Sequence, residues 1–368
     1  MSREDHLKFG IALNLIEGVG NVIAKTLIGY CGSPEEVFKS PIRHLEKIPN
    51  IGIELARRIK NFQDYKTADT EVEWILKNNV NAHFYFDKSY PYRLKMCSDA
   101  PVIIYTNSKV DLNCKKVLSI VGTRKATHYG KSFTRELVSE LSRYDCIVVS
   151  GMAYGIDIEA HKACLNFNVP TIGVVAHGLG QMYPAVHRKY ANKMKESGGA
   201  LLSEFLHDAI ANKENFPLRN RIITGLADAV IVVERGVSGG SIITANLANG
   251  YNREVFALPG SVYSEKSKGC NQLIKENKAY LIESINDLEY HLGWATRKST
   301  DPQKEKLTAA LSQNEKKVLK LLEEGEMGID ELYHLSEIAM SDLALLLLDL
   351  EFKGFLDSLP GKRYCRKN

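Results

Sequence analysis

Eight short segments in the middle of the chain are almost continuously apolar: HFYFD (83–87), VIIYT (102–106), VLSIVG (117–122), CIVVSG (146–151), TIGVVA (171–176), ALLSE (200–204), DAVIVVE (228–234) and EVFALPG (254–260). Unbroken apolar runs of this length mark strands buried on both faces, as in parallel sheets. The stretches between them, such as GKSFTRELVSELSRY and IEAHKACLNFN, carry apolar residues at helical spacing instead. Strand–helix alternation of this kind predicts an α/β fold, a Rossmann-like doubly wound parallel sheet, over residues 83–296.

The flanks follow other patterns. LIEGVGNVIAKTLIGY (15–30) and KIPNIGIELARRIKNF (47–62) share one plan: an apolar residue, a tight turn with glycine, then an amphipathic helix. The pair resembles a tandem helix-hairpin-helix (SAM-like) unit and defines a helical domain over 1–82. In that motif the turn brings backbone amides close to a phosphate, which requires glycine. Gly18, Gly20 and Gly52 are the accessory phosphate contacts this predicts, with Asn50 standing where a glycine is expected in the second copy. A small helical bundle without DNA contacts fits the same pattern. After a Lys-, Gln-, Ser- and Thr-rich linker (297–306), residues 307–368 read as three helices and a two-stranded wing turning at Pro360 and Gly361, the order of a winged helix. Its third helix, SDLALLLLDLEFKG, offers leucines and acids where a groove reader offers Arg, Asn or Gln. Only Lys362, Arg363, Arg366 and Lys367 in the wing suit phosphate.

Charge sharpens this division. The net charge of the 368 residues is only +4. Residues 1–86 hold 11 Lys/Arg against 11 Asp/Glu, residues 305–368 hold 9 against 12, and the middle holds 28 against 21. A polyanion is therefore expected on the middle domain. Seven scattered cysteines without CxxC spacing predict reduced packing residues and no metal site, and neither a signal peptide nor a membrane span is evident, pointing to the cytoplasm.

In an open parallel sheet, ligands sit outside the carboxyl ends of the strands. Those ends here read VGTRKATHYG, SGMAYGIDIEAH, AHGLGQMYP, SEF, NFPLRNRI, ERGVSGGSIITA and LPG. Small residues let backbone amides approach a phosphodiester, and helix N-termini favour its charge. The predicted contacts are Gly122 and Arg124; Ser150, Gly151 and Gly155; Phe216, Arg219, Asn220 and Arg221; and Ser238, Gly239, Gly240 and Ser241. Phe216 beside two arginines can stack a base while neutralising the adjacent backbone. A structural alternative has the arginines pairing with Glu204 or Glu234. Asp157 and His161, four apart, are read as a helix cap and a packing residue. No phosphate loop, GxGxxG or HExxH motif is present, so neither catalysis nor a cofactor is expected.

The ordered set VGTR, SGMAYGIDIEAH, GLGQMYP, LLSEF, FPLRNRIITGLADAVIVVE, SGGSIITA, REVFALPG and GCNQLI resembles the DprA/Smf family of DNA-processing proteins. The resemblance implies a Rossmann-fold homodimer that binds single-stranded DNA, protects incoming strands, counters single-strand-binding protein and loads the RecA recombinase in natural transformation. It assigns phosphate to Arg124 and the rest of the pocket to Ser150–Gly155, Phe216, Arg219, Arg221 and Ser238–Ser241. The competing reading is a nucleotide phosphoribohydrolase-like enzyme, for which SGGS and Glu234 are a partial echo of a PGGxGT loop. A duplex-specific regulator would rest on the winged helix alone.

Overall fold

The computed structural model describes residues 3–236, 240–294, 312–322, 325–336, 338–353, 355–359 and 362–366. Ser238, Gly239, the linker 297–306, Pro360, Gly361 and Lys367 lie outside the described residues, so the expectations placed on them have no structural counterpart. The chain divides into two compact units, Met1–Thr296 and Arg297–Asn368.

The first unit is built on a nine-stranded sheet. Its strands are β1 (Asn81–Phe84), β2 (Ile103–Thr106), β3 (Lys116–Gly122), β4 (Cys146–Gly151), β5 (Thr171–Val174), β6 (Ala200–Ser203), β7 (Ala229–Val233), β8 (Glu254–Ala257) and β9 (Tyr280–Leu281). The order is β1-β2-β6-β5-β4-β3-β7-β8-β9. From β6 to β9 every pairing is parallel, with Leu118 opposite Ala229 and Lys116 opposite Cys146. The two strands expected at 83–87 and 102–106 form an antiparallel edge instead, Tyr105 pairing with Ser203.

The apolar runs are explained by burial on both faces. Leu118 and Ile120 of β3 pack with helices α8 (His128–Leu141) and α9 (Ile156–Asn166). Their neighbours Val117 and Val121 face α11 (Asn215–Gly225) and α12 (Gly240–Gly250) on the other side. Each fully buried aliphatic side chain contributes about 1.5–3 kcal/mol. Ahead of the sheet, α1 (Arg3–Leu15), α2 (Asn21–Cys31), α3 (Pro34–Lys39), α4 (Ile42–Leu45), α5 (Ile53–Lys60) and α6 (Tyr65–Lys77) pack against β1 and β2 in one apolar cluster, while α7 (Tyr92–Lys95) connects β1 to β2 and α10 (Arg188–Glu196) leads into β6. Polar ties reinforce this seam: the Val102 amide donates to Asn21 (3.0 Å), and buried Glu71 accepts from the His207 amide and contacts its ring Nδ1 at 2.5 Å.

The second unit consists of helices Gln313–Leu321, Ile329–Ser336 and Met340–Phe352 with a small antiparallel sheet, Met327–Gly328, Arg363–Arg366 and Leu356–Leu359 in that order. This is the winged-helix arrangement. The third helix buries Leu343, Leu347 and Leu350 and leaves Leu345 and Leu348 exposed. All seven cysteines are free, five of them buried. No helix among the described residues is long and apolar enough to cross a membrane.

Candidate nucleic-acid interface

Strand order locates the site. β3 has β4 on one side and β7 on the other, so the chain winds outward in both directions from their shared boundary. Crossovers diverge there and leave a crevice at the strands' carboxyl ends. An open cleft of about 750 Å3 lies at this point. Six cations line it, Arg124, Lys125, Lys213, Arg219, Arg235 and Lys266, against one carboxyl, that of Asp157. Such a concave, predominantly positive surface concentrates an anionic ligand.

Phe216 is the apolar centre of the cleft. The guanidinium carbons of Arg124 and Arg219 lie 5.5 and 5.8 Å from its ring centroid, and Tyr183 meets it edge-on at 6.1 Å. The stretch NFPLRNRI, expected as a strand-end loop, is the start of α11. Pro217 is accommodated because the first helical turn has no amide acceptors to lose. At about 100° per residue, Arg219, Asn220 and Ile223 share the face of Phe216, while Arg221 turns roughly 140° away. Arg124 is exposed, whereas Arg219 is only 5% exposed. Its Nη1 donates to the Val174 carbonyl at 2.5 Å and its Nε to Asn220 Oδ1 at 3.2 Å.

Arg221 corrects the sequence reading. It is 7% exposed, donates to the Asp99 carbonyl (2.5 Å) and is ion-paired with Glu204, away from the cleft. The structural alternative thus describes Arg221. Ser150 is also corrected as a direct contact: it is fully buried and its hydroxyl donates to the Ile120 carbonyl at 2.6 Å. Gly151 is buried, and a Cβ there would lie 2.5 Å from Asp157 Oδ2 and 2.9 Å from Arg219 Nη1, so this glycine admits both charged side chains beneath the cleft. Gly122 is equally constrained, its missing Cβ falling 2.1 Å from the Val233 carbonyl oxygen. Gly240 and Ser241 line the cleft, with the Ser241 hydroxyl donating to the Gly122 carbonyl (3.0 Å).

Gly155 has φ +80°, and a Cβ would lie 2.1 Å from the Thr123 carbonyl oxygen. The Ile156 amide donates to that same carbonyl at 3.2 Å, tying the start of α9 to the Arg124 loop. Gly155→Ala is therefore expected to lower stability by about 3 kcal/mol, combining left-handed strain with overpacking. Urea unfolding that gave a wild-type midpoint would contradict this close approach.

Asp157 and His161 are both buried, in different roles. His161 contacts Thr171 Oγ1 (2.8 Å) and the Gly151 carbonyl (2.9 Å), and burial pushes its pKa down to about 4. It is the packing residue expected. Asp157 stands in the first turn of α9, with Gly155 rather than itself as the cap. Burial pushes its carboxyl up to about 6, against the pull of Arg219. Burial likewise brings Arg219 down to about 10, against the pull of Asp157, which leaves it cationic at neutral pH.

The sign of the Asp157 effect follows from linkage. The folded protein holds this proton more tightly than the unfolded chain, so stability falls as pH rises from about 4 to about 6, and the loss persists above it. Protonation below about pH 6 also removes the one negative charge among the described residues that line the cleft. Anion binding is expected to strengthen by roughly 3- to 10-fold from neutral pH to pH ~5. In Asp157→Asn this step should be missing; an identical pH profile for the variant would rule out Asp157 as its source.

Glu234 has φ +52° and is buried, its carboxylate accepting from the Thr127 amide (2.8 Å) and hydroxyl. Gly130 makes room for it: a Cβ there would lie 2.5 Å from Oε2. Glu234 therefore holds the Arg124-bearing loop to the start of α8. Gly18, Gly20 and Gly52 are exposed and precede α2 and α5, outside the cleft; Gly18 has φ +92°. Arg58 crosses between the hairpins to donate to the Glu17 carbonyl (3.2 Å).

Sequence reasoning missed Lys125, Lys213, Arg235, Lys266 and Tyr183. Tyr183 was within reach, because it lies in the strand-end loop GLGQMYP. Lys213 stands just ahead of the Phe216 segment.

Comparison with known proteins adds an independent line. Residues 81–293 match the family model described as DNA recombination-mediator protein A, and residues 302–362 match the DprA winged helix domain. The chain is 30% identical to protein Smf of Synechocystis sp., covering 98% of both chains. It is 38% identical to the DNA processing protein DprA of Bacillus subtilis over 58% of this chain and 72% of that one. Among solved structures, DprA of Streptococcus pneumoniae aligns with TM-score 0.65 at 29% identity, over 77% of this chain and 97% of that one. DprA of Helicobacter pylori, described for its single-stranded-DNA binding mode, aligns with TM-score 0.52 at 29% identity, over 58% and 95%.

Proposed function

Because this chain belongs to the DprA/Smf family of DNA-processing proteins, we propose that it binds single-stranded DNA in the switch-point cleft and hands the strand to a RecA-type recombinase. The observation that carries the reading is Phe216 beside two guanidinium groups in a cleft of six cations. An aromatic face stacks any base, and the surrounding charges neutralise phosphates, so binding is expected without a sequence code. The open cleft admits a flexible single strand, whereas the bases of a duplex already stack on one another and are unavailable to Phe216.

The geometry supports the following roles. Arg124, Lys125, Lys213 and Lys266 meet phosphates; Phe216 and Tyr183 meet bases; Asn220, Gly240 and Ser241 shape the wall. Gly122, Gly151 and Gly155 allow the close packing beneath, and Arg219 supplies buried positive charge. The exposed turns at Gly18, Gly20 and Gly52 serve as accessory phosphate contacts at most.

The protein acts without catalysis and as a cytoplasmic homodimer, which protects strands from single-strand-binding protein and nucleases during transformation. Against a nucleotide hydrolase stands the use of both candidate carboxylates: Glu234 accepts from Thr127 at the start of α8, and Glu204 neutralises Arg221.

Fluorescence anisotropy with labelled oligo-dT and a matched duplex tests the reading. Four phosphate contacts give log K against log salt a slope of roughly −3 for a single strand. Duplex binding as tight as oligo-dT binding, or a slope near zero, would defeat it.

A further inference from the structure

Beyond the cleft, on the side of Lys125 and Lys266, two tyrosines are presented to solvent with no role in the core. Tyr129 lies in the first turn of α8, four residues after Lys125. Its hydroxyl donates to the Pro259 carbonyl at 2.8 Å, yet the residue remains 50% exposed. The phenol is thus satisfied and fixed while half of the residue stays open to solvent.

Tyr263 comes from the segment that follows β8. Asn271 clamps the start of this segment, its Nδ2 donating to the Gly260 carbonyl (2.8 Å) and its Oδ1 accepting from the Gly260 amide (3.1 Å). Successive turns then order it, Ser264 N to Ser261 O and Ser267 N to Ser264 O, both at 3.0 Å. Despite this scaffolding, Tyr263 is 93% exposed. Lys266, three residues on, lines the cleft. The two segments meet at Gly260, where a Cβ would lie 3.8 Å from Tyr129 Cε1. The acid between them in sequence, Glu265, is paired with Lys268 at 2.5 Å.

Single exposed aromatics are ordinary. Here two rings stand on ordered, adjoining segments, each continuous with a cation of the cleft. A phosphodiester backbone leaving Arg124 along Lys125 and Lys266 would pass its next bases over them. We infer that Tyr129 and Tyr263 form a second stacking subsite, which extends the single-strand path beyond the cleft and engages only strands long enough to reach it. This rests on single-strand binding in the cleft.

The test compares oligo-dT of about 5 and about 12 nucleotides, within the range of typical single-strand sites. For the Tyr129→Ala/Tyr263→Ala double variant, affinity for the long strand should fall roughly 5- to 150-fold, the range spanned by one stacked base. Affinity for the short strand should stay at the wild-type level. Tyr129→Phe keeps the ring and should bind the long strand normally, and Tyr263→Ala alone removes a side chain with no packing role, so a folding defect is separable. Equal affinity of the double variant and wild type for both lengths, or an equal loss on both, would overturn the subsite while leaving the cleft in place. Failure of wild-type protein to bind either length would instead overturn the cleft reading, and the subsite with it.

Discussion

Arg124→Ala is expected to weaken oligo-dT binding by roughly 10- to 100-fold at moderate salt, with the unfolding midpoint unchanged. A charge-assisted hydrogen bond contributes about 1.5–3 kcal/mol. Arg124 is exposed and sits 5.5 Å above the Phe216 ring centroid, so its loss also strips one side of the stacking platform without disturbing the core. Arg124→Lys should recover only part of the loss, because an ammonium restores charge but neither the planar fork nor the stacking surface. Phe216→Ala removes the platform itself and should cost about 1–3 kcal/mol, or roughly 5- to 150-fold. Wild-type affinity in a folded Arg124→Ala protein would remove the cleft from consideration.

The second large effect is on stability. Arg221→Ala should destabilise the first unit by about 3–5 kcal/mol, because it leaves the Glu204 carboxylate buried without its partner. The lower end is favoured, since burial has already raised the pKa of Glu204 and a proton can replace the lost guanidinium. Removing both side chains together, with apolar residues of similar size, should be far milder than removing Arg221 alone. Urea denaturation measures this directly. A variant that keeps its stability but loses oligo-dT would return Arg221 to the DNA interface, where sequence reasoning had placed it.

The contrast between Arg219 and Arg221 shows how far a sequence carries this site. The strands were legible because residues such as Val117, Leu118, Ile120 and Val121 are buried on both faces of the sheet, and an unbroken apolar run is the direct record of that. The antiparallel edge was not legible, since an apolar strand does not encode the direction of its neighbour. α11 escaped because Arg219, Arg221, Ile222, Ile223 and Thr224 are all buried, so the helix has no polar stripe to reveal its period. Once the segment is taken as extended, two arginines flanking an asparagine look equivalent; as a helix they point to different structures.

The rest of the lining was hidden for another reason. Lys125, Lys213 and Lys266 are far apart in sequence and ordinary in local context, and only the divergence of crossovers at β3 gathers them. Small residues at strand ends did mark the right place. At Gly122, Gly151 and Gly155 their physical cause is close packing of protein against protein. Ser150 follows the same logic, its hydroxyl spent on the β3 backbone.

The most direct test of the cleft is photo-crosslinking of oligo-dT carrying 5-iodouracil, with the attached peptides mapped by mass spectrometry. Adducts on Phe216 and Tyr183 are expected, suppressed by unlabelled oligo-dT and reduced in Arg124→Ala. Adducts confined to the helical hairpins or the winged helix, with none on the Phe216 or Tyr183 peptides, would contradict it.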